Sequence, residues 1–203
     1  MLVIFDCAGV LVDSEAISNR ALSEALAELG LHLTVEETMA EFMGRSREHM
    51  LTRTAQLLGA PVPAGFAEAY DSVRDAALWR ELEPVAGIEE ALDALDEAGV
   101  ATCVASSGEH EKMRLTLGLT GLYDRFEGRI FSASEVARGK PAPDLFLHAA
   151  ARMGFEPPDC VVVEDSTAGV EAGRAAGMRV LGFGEDLYGD VVFTDMAELP
   201  ELL

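Results

Sequence analysis

Val3-Ile4-Phe5-Asp6-Cys7-Ala8-Gly9-Val10-Leu11-Val12-Asp13-Ser14-Glu15 decides how the rest of the chain is read. An apolar run of strand character stops abruptly at a carboxylate, and a small-residue turn around Gly9 follows. A strand ending in this way delivers Asp6 to the carboxyl edge of a parallel sheet, the edge on which open α/β folds bind their ligands. Taken alone, the stretch also admits a plainer reading, an ordinary strand end with a solvated Asp. Three more polar strand ends, all later in the chain, shift that balance.

Immediately after this stretch the sequence changes character. Ala21, Leu22, Ala25, Leu26 and Leu29 recur at helical spacing, Gly30 stops that helix, and Thr34 with Glu37 forms a capping box that opens the next. A third helix is expected over Ser46 to Leu58 and a fourth from after Pro63 to about Arg80. Nothing in this block alternates as a strand does, and it is too long for a simple connection between two strands. The reading is therefore an all-helical cap, residues 15–81, inserted into a core made of residues 1–14 and 82–203.

From Pro84 onward, strands and helices alternate. A helix between Gly87 and Gly99 precedes the buried strand Val100-Ala101-Thr102-Cys103-Val104-Ala105, which ends in Ser106-Ser107. A helix follows from about Glu111 to Leu117, and then the short strand Arg129 to Ser132. Gly139-Lys140-Pro141-Ala142-Pro143-Asp144 halts one element and starts another helix at Asp144. Cys160-Val161-Val162-Val163 is a further strand and ends in Glu164-Asp165. A helix from Thr167 to Ala176, a strand over Arg179 to Phe183 and an edge strand at Val191 to Phe193 complete the pattern. The fold class is α/β, with right-handed crossovers and a Rossmann-like parallel sheet.

Composition narrows the function. Of the 203 residues, 15 are Lys or Arg and 36 are Asp or Glu, for a net charge of −21. That field repels nucleic-acid phosphates and anionic membranes, so no nucleic-acid and no membrane partner is expected. No apolar run reaches the ~18 residues of a membrane span, and the first residues read as a strand rather than an export signal, so a cytoplasmic location is expected. Cys7, Cys103 and Cys160 lie in or beside apolar runs with no metal-site spacing, and are expected to be reduced core residues. In an acidic protein, a phosphate ligand calls for a metal and a few placed cations.

All carboxyl ends of a parallel sheet open on one edge, so Asp6, Ser106 and Glu164-Asp165 converge there, with Lys140 on a loop above. Carboxylates from two strands suit a hard, oxygen-loving ion such as Mg²⁺, completed by water and substrate phosphate. A Ser hydroxyl and a Lys ammonium suit the remaining phosphate oxygens. Asp6 is the candidate nucleophile, forming an aspartyl phosphate that splits one hard displacement into two easier ones.

The four motifs, Asp6-Cys7-Ala8-Gly9-Val10-Leu11-Val12-Asp13-Ser14-Glu15, Val104-Ala105-Ser106-Ser107, Gly139-Lys140-Pro141-Ala142-Pro143-Asp144 and Glu164-Asp165-Ser166-Thr167-Ala168-Gly169, resemble in order and spacing those of the haloacid dehalogenase superfamily. The likeness covers essentially the whole chain and is greatest to the branch of sugar-phosphate phosphatases and beta-phosphoglucomutases with a small helical cap. It implies Asp6 as nucleophile and metal ligand, Ser106, Ser107 and Lys140 as phosphate-site residues, and Asp165 as a further metal ligand alongside Glu164.

One position departs from that pattern. Two residues after the nucleophile the family has a second Asp, which protonates the leaving alkoxide and then activates water; here it is Ala8. Its backbone carbonyl can still ligate a metal, but a methyl group cannot transfer a proton. General acid–base assistance contributes about 10²–10⁴-fold, on the order of 3–5 kcal/mol, so binding without fast turnover is expected.

The expected function is a Mg²⁺-dependent phosphatase of small phosphorylated metabolites, sugar phosphates foremost, in an impaired form. The alternatives are a beta-phosphoglucomutase-like mutase and a catalytically silent phosphosugar-binding module. Where the mutases carry a cap His, this chain has Ser18-Asn19-Arg20, which favours hydrolysis. Phe42-Met43-Gly44-Arg45-Ser46-Arg47-Glu48 sets two cations at a helix start. The resemblance makes Arg47 the reader of the substrate, with Arg45 beside it, while Glu15, Ser18 and Asn19 are candidates to face sugar hydroxyls. Trp79 is read as a packing residue near the second hinge, and His32, His49, His110 and His148 as structural or surface residues. The chain is expected to be a monomer or weak homo-oligomer whose cap closes over the substrate.

Overall fold

A computed structural model describes residues 1–185 and 187–203. Its six strands are β1 (Leu2–Phe5), β2 (Ala101–Ser106), β3 (Ile130–Ser132), β4 (Cys160–Glu164), β5 (Arg179–Phe183) and β6 (Val191–Phe193). They form one sheet in the order β3-β2-β1-β4-β5-β6, and every pairing is parallel. The connections leave β1 toward β2 and β3 on one side and β4 to β6 on the other. The order therefore reverses at the centre, between β1 and β4, where α/β sheets open a crevice. Phe5 is in register with Val104 on one side and Val163 on the other, so Asp6 leaves the sheet level with the ends of its neighbours.

The sheet is buried on both faces, as its continuous apolar runs require. Val3, Phe5, Val104, Val161 and Val163 face α5 (Ile88–Glu97), α6 (His110–Leu119) and α7 (Tyr123–Phe126). Leu2, Ile4, Cys103, Ala105 and Val162 face α8 (Asp144–Met153) and α9 (Thr167–Ala175). All three cysteines are buried free thiols. Burial, reinforced by the charge of Asp6, pushes the Cys7 thiol up to about 12, so it is inert at neutral pH.

Between β1 and α5 lie α1 (Glu15–Glu28), α2 (Val35–Phe42), α3 (Arg47–Leu58) and α4 (Phe66–Glu81). They share an apolar cluster of their own, with Leu22, Leu26, Phe42, Met50, Phe66 and Tyr70 at its centre. The capping box opens α2 as the sequence indicates: Glu37 N donates to Thr34 Oγ1 at 3.1 Å and Thr34 N to Glu37 Oε2 at 2.8 Å. The two chain crossings between this block and the sheet run side by side. Asp13 N donates to the Glu83 carbonyl at 3.0 Å, Val85 N donates to the Leu11 carbonyl at 3.0 Å, and Val12 bridges Pro84 in antiparallel fashion.

Three differences from the sequence reading stand out. The short helix α7 and the 3-10 turn Met196–Leu202 were not expected, because neither is long enough to establish a period. Trp79 is not a packing residue: it is 68% exposed and lines the cavity between the helical block and the sheet. Its place in the last turn of α4, beyond the buried Ala77 and Leu78, turns the indole away from the cluster.

Candidate active site

Asp6 is the first residue past β1, its amide donating to the Val163 carbonyl of β4 at 3.0 Å. The backbone then folds back on itself, with Gly9 N donating to the Val12 carbonyl at 2.8 Å. Gly9 has φ +82°, and a Cβ there would stand 1.9 Å from Asp165 Oδ2. Only glycine gives both the left-handed turn and the space for the Asp165 carboxylate to lie against it. The turn at Gly9 is legible in the sequence; the close approach is not, because it depends on β4, far away in the chain.

Lys140 ties the strand ends together. Its ammonium is buried and pairs with Asp6 Oδ1 and Glu164 Oε1. Burial by itself would lower its pKa, but the charges of Asp6 and Glu164 outweigh that and hold the group firmly protonated. The second oxygen of Glu164 accepts from Ser166 N and Ser166 Oγ, both at 2.9 Å, while Ser166 Oγ in turn accepts from Gly169 N at 3.1 Å. Both Glu164 oxygens are thus engaged, which makes it the support that fixes Lys140 and the start of α9. Ser106, buried at the end of β2, accepts from Gly108 N at 3.3 Å.

A cavity of about 400 Å³ opens above these strand ends, roofed by α1, α3 and α4. Asp6, Ala8, Ser106, Ser107 and Lys140 line its floor. Glu15, Ser18, Asn19, Arg45 and Arg47 line its roof and sides, so the structure brings candidates from the helical block and from the strand ends to one space. Glu164 and Asp165 lie outside that lining, behind Lys140 and Gly9 respectively. Asn19 Nδ2 donates to the Glu15 carbonyl at 2.9 Å and to Glu15 Oε2 at 3.1 Å, holding that carboxylate in place. Ser18 Oγ is buried and has no hydrogen-bond partner among the described residues. Ser107 Oγ donates to the Gly44 carbonyl at 3.1 Å, so its proton is directed at the turn between α2 and α3. Arg47 is paired twice, with Asp71 and, at 3.0 Å, with Glu109. Asp71, Arg74 and Glu109 had no motif to announce them; only the folded contacts place them at the cavity.

The electrostatics favour a cation. Burial first, then the negative charges of Glu164, Asp6 and Glu15, raise the Asp165 carboxyl well above the usual range against the pull of Lys140. Burial likewise raises Glu15, opposed by Lys112. Lys140 thus pairs with two carboxylates, Asp6 and Glu164, while a third, Asp165, lies nearby without an ion-pair partner among the described residues. Asp6 and Asp165 are oxygen donors of the kind a hard divalent ion takes, and such an ion would offset this surplus of negative charge. Among the described residues no three His, Cys, Asp or Glu side chains converge on one point, so an ion here would complete its shell with backbone, water or substrate oxygen.

Comparison with known proteins agrees with this architecture. A family model described as haloacid dehalogenase-like hydrolase matches residues 1–177. The chain is similar to the 6-phosphogluconate phosphatase of Escherichia coli (strain K12), 33% identical over 208 aligned positions that cover 98% of this chain and 93% of that one. It is 30% identical to hexitol phosphatase B of the same organism, over 88% of this chain and 81% of that one. Among solved structures, a haloacid dehalogenase-like protein from Agrobacterium tumefaciens str. C58 superposes with a TM-score of 0.81 at 34% identity, covering 99% and 96% of the two chains. A HAD family hydrolase from Deinococcus radiodurans R1, solved with bound phosphate and sodium, gives 0.76 at 34% identity over 98% and 92%. With nearly nine-tenths of its length matched by the family model and its strand-end residues gathered under one cavity, the chain belongs to the haloacid dehalogenase-like hydrolases.

Proposed function

We propose that this hydrolase is a Mg²⁺-dependent phosphatase of small phosphorylated metabolites, sugar phosphates foremost, in a form slowed by Ala8. The observation that carries the reading is the Lys140 ammonium clasped between Asp6 and Glu164 at the floor of the cavity. A nucleophilic carboxylate beside a fixed cation is what attack on an anionic phosphate requires, since the cation offsets repulsion between the reactants. The names of the two phosphatase relatives and the phosphate in the Deinococcus structure support the substrate class.

In this mechanism a carboxylate oxygen of Asp6 forms a bond to phosphorus as the bond from phosphorus to the ester oxygen breaks. Ser106 and Lys140 hold the remaining phosphate oxygens. Asp6, Asp165 and the Ala8 carbonyl are the residues that would hold Mg²⁺, which when bound supplies charge neutralisation to the phosphoryl group. Water then cleaves the aspartyl phosphate and restores Asp6. The leaving oxygen needs a proton and the attacking water must lose one, and Ala8 does neither.

The division into a core (1–14 and 82–203) and a cap (15–81) belongs to the same proposal. The paired crossings at Val12 and Pro84 are its hinge, and closing the cap excludes water from the aspartyl phosphate. Ala8 also favours a second reading, a silent module that binds a phosphosugar without turning it over. Restoring the acid by Ala8→Asp separates the two. The phosphatase reading expects Mg²⁺-dependent phosphate release from at least one sugar phosphate, and the silent-module reading expects tight binding with none.

A further inference from the structure

Arg47 is the cation that family resemblance assigns to the substrate, yet its guanidinium is already compensated on two sides. One contact, with Asp71 of α4, stays within the helical block. The other, from Nε to Glu109 Oε1 at 3.0 Å, reaches across the cavity mouth to the loop that joins β2 to α6. Two more contacts cross at the same place. Ser107 Oγ donates to the Gly44 carbonyl, and Gly44 sits so close to the core that a Cβ there would be 2.9 Å from Ser166 Cβ.

Among the described residues, the Glu109 side chain pairs with Arg47 alone. It precedes α6 but makes no capping hydrogen bond to it, and its side chain, 48% exposed, contributes nothing to the apolar core. A second anionic group brought under Arg47 would meet the Asp71 and Glu109 carboxylates as well as the guanidinium, and like charges at close range oppose binding. Of the other cations at the cavity, Arg74 pairs with Asp71 and Asp75, Lys140 with Asp6 and Glu164, Lys112 faces Glu15, and Arg45 is exposed to solvent, which leaves Glu109 as the carboxylate on Arg47 that no second cation pairs among the described residues. Uncharged hydroxyl groups meet no such opposition, and the buried Ser18 Oγ is without a partner among the described residues.

We propose that Glu109 is a specificity-determining residue whose carboxylate takes, on Arg47, the place of a second substrate anion, so that the closed cavity accepts phosphate monoesters with an uncharged polyhydroxyl body and discriminates against bisphosphates and phosphorylated sugar acids. The inference rests on the phosphatase reading above and names the substrate class of that site.

Binding to the Ala8 chain as it stands provides the test, because the esters persist during the measurement. Titration calorimetry in the presence of Mg²⁺ compares a hexitol monophosphate, a six-carbon phosphorylated aldonic acid and a hexose bisphosphate on the native chain, Glu109→Gln and Glu109→Lys. The native chain should bind the uncharged-bodied ester at least about tenfold more tightly than either of the others. That preference should fall about tenfold in Glu109→Gln and reverse in Glu109→Lys. A preference that is the same in all three proteins, a native preference for the more anionic esters, or binding of none of them overturns the inference. Phosphate release by Ala8→Asp decides the phosphatase reading separately, so the two can fail independently.

Discussion

Lys140 sits between two carboxylates in a place with almost no solvent, and its removal exposes what it does. Lys140→Ala would leave Asp6 and Glu164 without their shared counter-charge, and breaking a buried pair from one side costs about 3–5 kcal/mol. Urea denaturation of the metal-free protein should show a loss of that size; a loss below about 1 kcal/mol would mean that the pairing is not structural. Glu15 presents the opposite case. Burial lifts its pKa above the ordinary 4.5, so between its unfolded and folded values the folded state holds a proton that the unfolded state has released. Stability from this group therefore falls as pH rises through that window. Glu15→Gln removes the dependence and can still accept from Asn19, so its thermal midpoint relative to the parent should climb as pH increases from about 4 to neutrality. A difference that stays flat or shrinks with pH would contradict the assignment.

At the scale of elements, Gly9 lets the loop after β1 close. Gly9→Ala would suffer both a left-handed backbone, costing about 1–3 kcal/mol, and collision with Asp165. Gly121→Ala is the control: its φ is +74° but nothing lies within 4 Å of an added Cβ. The first substitution should destabilise the chain more than the second and should also remove divalent-cation binding, as read by calorimetry; equal effects would mean that the approach of Asp165 to the turn is unimportant. The same comparison explains what the sequence could convey. The β1 run, the Thr34 and Glu37 capping box and the apolar Cys160 to Val163 strand are local patterns, and local patterns are readable. The α7 turn is too short to show a period. The pairing of Arg47 with Glu109 joins residues distant in the chain, the second of them in no motif, and the exposure of Trp79 is not legible because apolar character alone does not tell which way a side chain faces.

Across the whole molecule, the order β3-β2-β1-β4-β5-β6 makes one site from four separated motifs, and the side-by-side crossings at Val12 and Pro84 let residues 15–81 act as its lid in the proposed mechanism. The parallel sheet was legible because strands and helices alternate after Pro84; the closed contacts at Gly44 were not, since they depend on how the two layers meet. If the excess of carboxylates at Asp6 and Asp165 is a cation site, Mg²⁺ at about 100 times its dissociation constant should add about 2.7 kcal/mol of stability, a rise of several degrees in thermal midpoint that chelation reverses. Asp165→Asn should abolish most of that rise, and an unchanged rise would place the ion elsewhere.

In the proposed mechanism an otherwise complete phosphoryl-transfer site lacks one proton-transferring side chain. The direct measurement is Mg²⁺-dependent phosphate release from a panel of sugar phosphates by the native chain, by Ala8→Asp, and by Ala8→Asp combined with Asp6→Asn. Restoring the acid should raise the rate about 10²–10⁴-fold, and replacing Asp6 should abolish that gain. No gain with any substrate, or a gain that survives the loss of Asp6, would contradict that mechanism.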